Sequence, residues 1–331
     1  MIDKGFQGRY NPQRMPERKK EFVLSFQIAL TQVLLTLFYI LPGYAISKMK
    51  KASAQHLPTL SAALVYVCGP CLHISAFISM DFSWEGLKDM GLVFLLTFAL
   101  QAAFMGILYI LLRKKQADGR YRIWNIACAL GNVGFFGLPV VKALLPDHPE
   151  AACYSAIFCV SMNVLVFTMG VYCLTNDRKY MSLRSALLNP TMFGFVLAIP
   201  LYMLGAKNFL PAQALDAVEL LGRMSTPLCM MILGIRLAQS PLKRLFSQPL
   251  VYAASFSKLV AFPLFCFAAV SLLPLPMPMK ASIVILSAAP CASIILSLAE
   301  LHGSGTEFSA NCLLVSTLLC FLTIPLFTLL L

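Results

Sequence analysis

The sequence predicts an all-α polytopic membrane protein of ten transmembrane helices, and three observations carry that expectation. Charged residues make up 12% of the 331 positions and hydrophobic residues 59%, which leaves too little polar surface to cover a soluble globule of this size. Apolar stretches of about the 20 residues needed to cross a bilayer recur along the chain with short charged interruptions. Lys and Arg gather in those interruptions, so the +12 net charge reads as a topology signal and not as a footprint for nucleic acid, which is not an expected partner.

Taken in order, helices are expected over Phe22–Lys48, Leu57–Met80, Met90–Leu112, Ile123–Leu145 and Ala151–Leu174. Five more are expected over Leu187–Leu204, Leu215–Leu237, Leu250–Leu273, Met279–Leu298 and Phe308–Leu331. The first 21 residues form a polar, basic tail before a span of full transmembrane length, so no cleaved signal is expected. Most of the eleven cysteines, Cys128, Cys159, Cys173, Cys266 and Cys320 among them, lie in apolar stretches and act as small hydrophobes.

Ten spans put both termini on one side. One set of loops then carries Lys48, Lys50, Lys51, Arg113, Lys114, Lys115, Arg120, Arg122, Arg178, Lys179, Arg184, Arg236, Lys243 and Arg244. The opposite set carries Lys88, Lys142, Lys207 and Lys280. The first face is therefore expected in the cytoplasm of a plasma-membrane protein, with both termini external. The tail, with Lys4, Arg9, Arg14, Arg18, Lys19 and Lys20, opposes that orientation.

Prolines hint at internal repetition. Pro42 and Pro200, Pro70 and Pro227, and Pro139 and Pro290 recur at offsets of 158, 157 and 151 residues. That spacing matches helices one to five (22–176) with helices six to ten (185–331). Because five is odd, the second unit enters the membrane from the opposite face, which makes an inverted repeat.

Chemistry is expected where helices cannot continue. Gly131-Asn132-Val133-Gly134-Phe135-Phe136-Gly137-Leu138-Pro139 puts three glycines, an asparagine and a proline into the fourth span. Ser287-Ala288-Ala289-Pro290-Cys291-Ala292-Ser293 interrupts the ninth in the corresponding place. Broken helices leave N–H and C=O groups that hydrocarbon cannot satisfy, so they are tolerated only when buried in protein or lining a cavity. Two half-helix N-termini crossing at mid-membrane present free N–H donors and positive dipole ends to a carboxylate. The plainer reading is that small residues and prolines merely let membrane helices pack closely.

These segments resemble the auxin efflux carrier family, whose bacterial branch includes malate and malonate permeases. The resemblance runs end to end. It rests on Gly131 to Pro139, Leu-Leu-Asn-Pro at Leu187 to Pro190, and Ser-Thr-Pro-Leu with Leu-Gly at Ser225 to Gly234. Ser-Ala-Ala-Pro at Ser287 to Pro290, Leu-Ala-Glu at Leu298 to Glu300, and the run from Ser316 to Pro325 complete it. It implies a five-plus-five inverted repeat with helices four and nine broken and crossing, a scaffold of helices one, two, six and seven, and a mobile transport part. It also implies a homodimer.

The function so implied is secondary transport of small organic anions, mono- or dicarboxylates, by an elevator-type mechanism. Coupling to Na+ or H+ stays open, and no cofactor is called for. Substrate-site residues are expected at Gly131, Asn132, Gly134, Gly137, Pro139, Asn163, Ser287, Pro290, Cys291 and Ser293. Cys291, Ser293 and Ile294 stand where relatives often carry more polar residues, which leaves the substrate's identity open.

Single polar residues complete the expectation. Lys258 lies near the middle of the eighth span, where a lone cation costs about 3 kcal/mol on insertion scales, and it is expected either to pair with the substrate or to contact a carbonyl. Glu219 and Arg223 are spaced for an i,i+4 ion pair. Glu300 near His302 reads as a proton-coupling pair or as a solvated helix end. Cys68-Gly69-Pro70-Cys71 spells a thiol-disulfide relay, but its apolar setting opposes thiolate formation. An anion channel and a nutrient sensor compete with the carrier, since either function can be built on broken helices of this kind. An enzyme is not expected, because no catalytic or phosphate-binding motif is present.

Overall fold

A chain in hydrocarbon must satisfy its backbone internally, and helices do so within each segment. The computed structural model describes residues 17–240 and 245–331; the basic side chains of the tail 1–21, with Lys243 and Arg244, lie outside the described residues. Among the described residues, eight helices are long and apolar enough to cross a membrane. They are α1 (Ser25–Lys48), α2 (Ala54–Ile78), α3 (Trp84–Lys115), α5 (Glu150–Thr175), α6 (Arg178–Met203), α7 (Ala212–Gln239), α8 (Pro249–Ser271) and α10 (Thr306–Phe327). Two further passes are pairs of short helices, α4a (Gly119–Ala127) with α4b (Val133–Leu144), and α9a (Met277–Ser287) with α9b (Ser293–Leu301). No strand is present among the described residues, apart from one isolated bridge between the two interruptions.

Among the described residues, eight of the ten expected stretches become helices of spanning length, and the fourth and ninth each become two short helices. Of the ends that differ from expectation, two have a local cause in a capping side chain. α3 begins at Trp84, ahead of Met90, because the Ser83 hydroxyl caps it by accepting the Gly86 N–H at 3.0 Å. α4a begins at Gly119 because the Asp118 carboxylate accepts the Arg120 N–H at 2.9 Å. That carboxyl is held below its ordinary range, first by the Arg120 guanidinium and then by the Arg120 N–H.

Four helices contain a π turn, at Leu64–Cys68, Val133–Gly137, Val166–Gly170 and Ser257–Ala261. Three of them end just ahead of Pro70, Pro139 and Pro263. A proline lacks its N–H and crowds the carbonyl four residues back, and a widened turn accommodates both effects without ending the helix.

Packing joins the helices into one bundle, in which α1 lies against α10 and α4b. α7 lies along α1 and α2, and α6 lies along α2. α3 packs on α5, and α9a packs on α8 and α5. The α1–α7 contact brings backbones together. A Cβ added at Gly43 would run into the Met231 backbone, and one at Gly234 into Ile40 O and the Tyr44 N. Outward faces carry exposed apolar side chains such as Leu95, Leu111, Phe193, Leu204 and Leu272, a surface suited to lipid. The expected Glu219–Arg223 pair forms at 2.7 Å.

The backbone contact makes a test. Gly234→Leu is expected to lower the thermal midpoint of the purified protein, at a cost of about 1–3 kcal/mol for overpacking. Gly91→Ala, where an added Cβ meets nothing within 4 Å, is expected to leave the midpoint unchanged or raise it.

Candidate functional site

The two interruptions meet. Gly131 and Cys291 form an antiparallel bridge, in which the Asn132 N–H donates to Pro290 O at 2.7 Å and the Ala292 N–H donates to Leu130 O at 3.1 Å. Neighbouring groups take up most of what is left. The Cys291 N–H donates to Ser316 Oγ at 3.0 Å, Ser155 Oγ donates to Val133 O at 2.9 Å, and Thr226 Oγ1 donates to Phe135 O at 2.6 Å. Asn132 O accepts from the Phe136 and Gly137 N–H groups. Two non-helical segments therefore remain buried without stranded backbone groups at these positions.

Beside the bridge is a cavity of about 290 Å³, at the small end of the range for small-molecule sites. One wall comes from α2 (Ser61, His73), α6 (Asn189) and α7 (Cys229, Ile232, Arg236). The facing wall comes from the α4 interruption (Gly131 to Phe135), α5 (Cys159, Asn163, Phe167) and α9b (Ser293, Ser297). The first N–H groups of a helix lack intrahelical acceptors. The residues that carry them in α4b (Gly134, Phe135) and α9b (Ser293, Ile294) all border this cavity. Arg236 is the one Lys or Arg side chain on the lining, and no Asp or Glu borders it among the described residues. Two helix N-termini and one guanidinium, the latter paired with Glu300 at 3.4 Å, border the site.

Of the residues expected at the site, Gly131, Asn132, Gly134, Asn163 and Ser293 border the cavity. Asn132 is buried and its Nδ2 reaches Cys229 Sγ at 3.6 Å, while Asn163 Nδ2 donates to Cys159 O at 2.9 Å. The remaining expected residues do not border it. Gly137 abuts Leu286, where a Cβ would come within 2.8 Å of Cδ2. Pro139 lies in the first turn after the α4b π turn, Pro290 supplies a bridge carbonyl, and Ser287 Oγ donates to Val284 O at 2.7 Å. Cys291 Sγ lies 3.6 Å from Ala127 O.

Lys258 is placed behind the bridge. It is fully buried, its Nζ donates to Ser287 O at 2.5 Å, and it sits 5.0 Å from the centre of the Phe262 ring. A Cβ at Gly131 would lie 3.0 Å from Nζ, so the bridge backbone stands between this ammonium and the cavity. Of the contacts expected for it, the structure contains the one to a carbonyl.

Several lining residues are absent from the expected set. Charge pattern groups Arg236 with the loop cations, yet it sits in the last turn of α7 and inside the apolar stretch Leu215–Leu237, a position that already places it within a span. His73, buried amid apolar residues of α2, carries the same signal of an ionisable group inside a span. Glu300 pairs with Arg236 at 3.4 Å across α9b and α7, whereas His302 meets the edge of the Tyr180 ring. Cys68 and Cys71 are free thiols and border no part of the cavity.

The chain is similar to known proteins over almost its full length. A family model described as "Membrane transport protein" matches residues 28–183 and 176–328. A protein of Methanocaldococcus jannaschii described as an uncharacterized transporter is 27% identical over 310 residues, covering 90% of this chain and 97% of the relative. Another uncharacterized transporter, from Methanothermobacter thermautotrophicus, is 23% identical over 314 residues, covering 89% and 96%.

Two serines test the accounting at the bridge. Ser316→Ala strands the buried Cys291 N–H and is expected to destabilise the purified protein by about 1–3 kcal/mol in thermal or denaturant unfolding. Ser282 is equally buried, but its hydroxyl has no partner among the described residues, so Ser282→Ala is expected to be neutral or stabilising.

Proposed function

Because the chain belongs to the membrane transport protein family, that of the auxin efflux carriers, and is an integral membrane protein, we propose that it is a secondary carrier of small organic anions. The observation that carries this reading is the cavity whose polar lining consists of two half-helix N-termini, one guanidinium and neutral side chains. Exposed amides at a helix N-terminus and a positive dipole end suit a carboxylate. A cation would find no carboxylate there among the described residues.

The substrate carboxylate sits against the amides at Gly134, Phe135, Ser293 and Ile294, with Asn132, Asn163 and Ser293 as side-chain partners and Arg236 facing it from α7. The mechanism is an elevator. Its support is the position of the cavity between a wall from α2, α6 and α7 and a wall from the interruptions, α5 and α9b. The halves 22–176 and 185–331 are the two inverted units, each with one interrupted pass. The loops rich in Lys and Arg lie in the cytoplasm, and the cavity extends from the bridge towards that end, where Arg236 and Asn189 are.

The purified protein in liposomes is expected to take up one or more mono- or dicarboxylates with saturable kinetics and to show counterflow. Flux that rises linearly without saturation indicates a channel, and binding without flux indicates a sensor; either outcome removes the carrier reading. Arg236→Gln is expected to raise KM by about 10- to 100-fold, the loss of a charge-assisted hydrogen bond, while the thermal midpoint without substrate stays within a few degrees of the parent.

A further inference from the structure

Lys258 is the buried charge that the cavity leaves unexplained. Among the described residues it forms no ion pair, and its electrostatic neighbours are the thiols of Cys291, Cys266 and Cys128. Its one hydrogen bond goes to Ser287 O, the last carbonyl of α9a. Gly131, four residues past the end of α4a, would place a Cβ 3.0 Å from Nζ and Cε of Lys258.

The geometry points to a division of charge across the bridge. The N-terminal ends of α4b and α9b border the cavity, whereas Lys258 bonds the C-terminal end of α9a and lies against Gly131, four residues past the C-terminal end of α4a. Each helix C-terminus carries roughly half a negative elementary charge, so two such ends together amount to about one. One ammonium matches them.

We propose that Lys258 is a captive cation, tethered where a dissolved cation would otherwise be needed to hold the two C-terminal ends together, so that uptake requires no alkali-metal ion at the breaks. This rests on the carrier reading above. Lys258 touches no substrate, because the Gly131 backbone stands between them; it is a positioning residue that keeps the amides of α4b and α9b aimed into the cavity. A Cβ at Gly131 would meet Nζ and Cε of Lys258 at 3.0 Å and Ala289 O at 3.2 Å, so a larger residue there requires the lysine to shift. The tether also sets how the charge travels. The ammonium moves with the interruptions through the cycle and is neither picked up nor released.

The experiment uses purified full-length protein in proteoliposomes, with a carboxylate found to be transported. Parent uptake is expected to agree within about twofold when external Na+ is replaced by choline or K+. Lys258→Met, close in volume and uncharged, is expected to lose at least tenfold in flux. In Lys258→Ala, millimolar methylammonium, ethylammonium or Na+ is expected to restore several-fold of the lost flux, and ethanol at the same concentration is not.

Lys258→Met at parental flux overturns the proposal, as does rescue by ethanol equal to rescue by ethylammonium. Strict Na+ dependence of the parent also overturns it, and this measurement stands even if both variants fail to fold. A parent that carries no anion overturns the carrier reading and this proposal together. A saturable parent with the wrong lysine results overturns this proposal alone.

Discussion

Two stretches of backbone that cannot stay helical complete each other's hydrogen bonds at the middle of the bundle, and the rest of the site follows from that constraint. Hydrocarbon offers no partner to a stray amide or carbonyl. The bridge between Gly131 and Cys291, with Ser316, Ser155 and Thr226 around it, supplies the partners. Once the interruptions are held this way, four helix ends converge on one point, two of each sign. The sequence needs few ionic side chains to make a polar site, because the backbone itself provides most of the field.

The remaining charges fall on opposite sides of that point. Lys258 is enclosed behind it, while Arg236 lies on the far wall of the cavity and reaches Glu300 on α9b at 3.4 Å. That pair spans the two walls. In the proposed carrier, an anion in the cavity would compete with Glu300 for the guanidinium and so exchange the contact that joins the walls. With both Arg236 and Glu300 partly exposed, the pair is weak enough for such an exchange.

Much of the architecture is legible in the sequence because its causes are local. Apolar length marks the spans, and the clusters Gly131 to Pro139 and Ser287 to Ser293 mark the interruptions. What the chain does not reveal is direction. Whether a residue beside a break faces the cavity depends on how the two breaks pair, and Gly137, Pro139, Pro290 and Cys291 serve packing and the bridge. Arg236 is hidden for a different reason. A cation near a helix end reads the same whether its stem runs out to water or turns inward, and its partner Glu300 is 64 residues away in the chain. Proximity in sequence instead couples Glu300 with His302, but that histidine belongs to an aromatic contact with Tyr180.

The widened turns ahead of Pro70, Pro139 and Pro263 have a bearing on how such chains tolerate change. Each holds about one residue more than an α turn, and so rotates the following segment by roughly 100° relative to an uninterrupted helix. A helical wheel drawn through Ser257–Ala261 would therefore assign the wrong flank to everything after it. Deleting one residue within that turn would let the segment relax to ordinary winding and keep the residues after it on the faces they already occupy, whereas the same deletion in the regular part of α10 would rotate everything after it by roughly 100°.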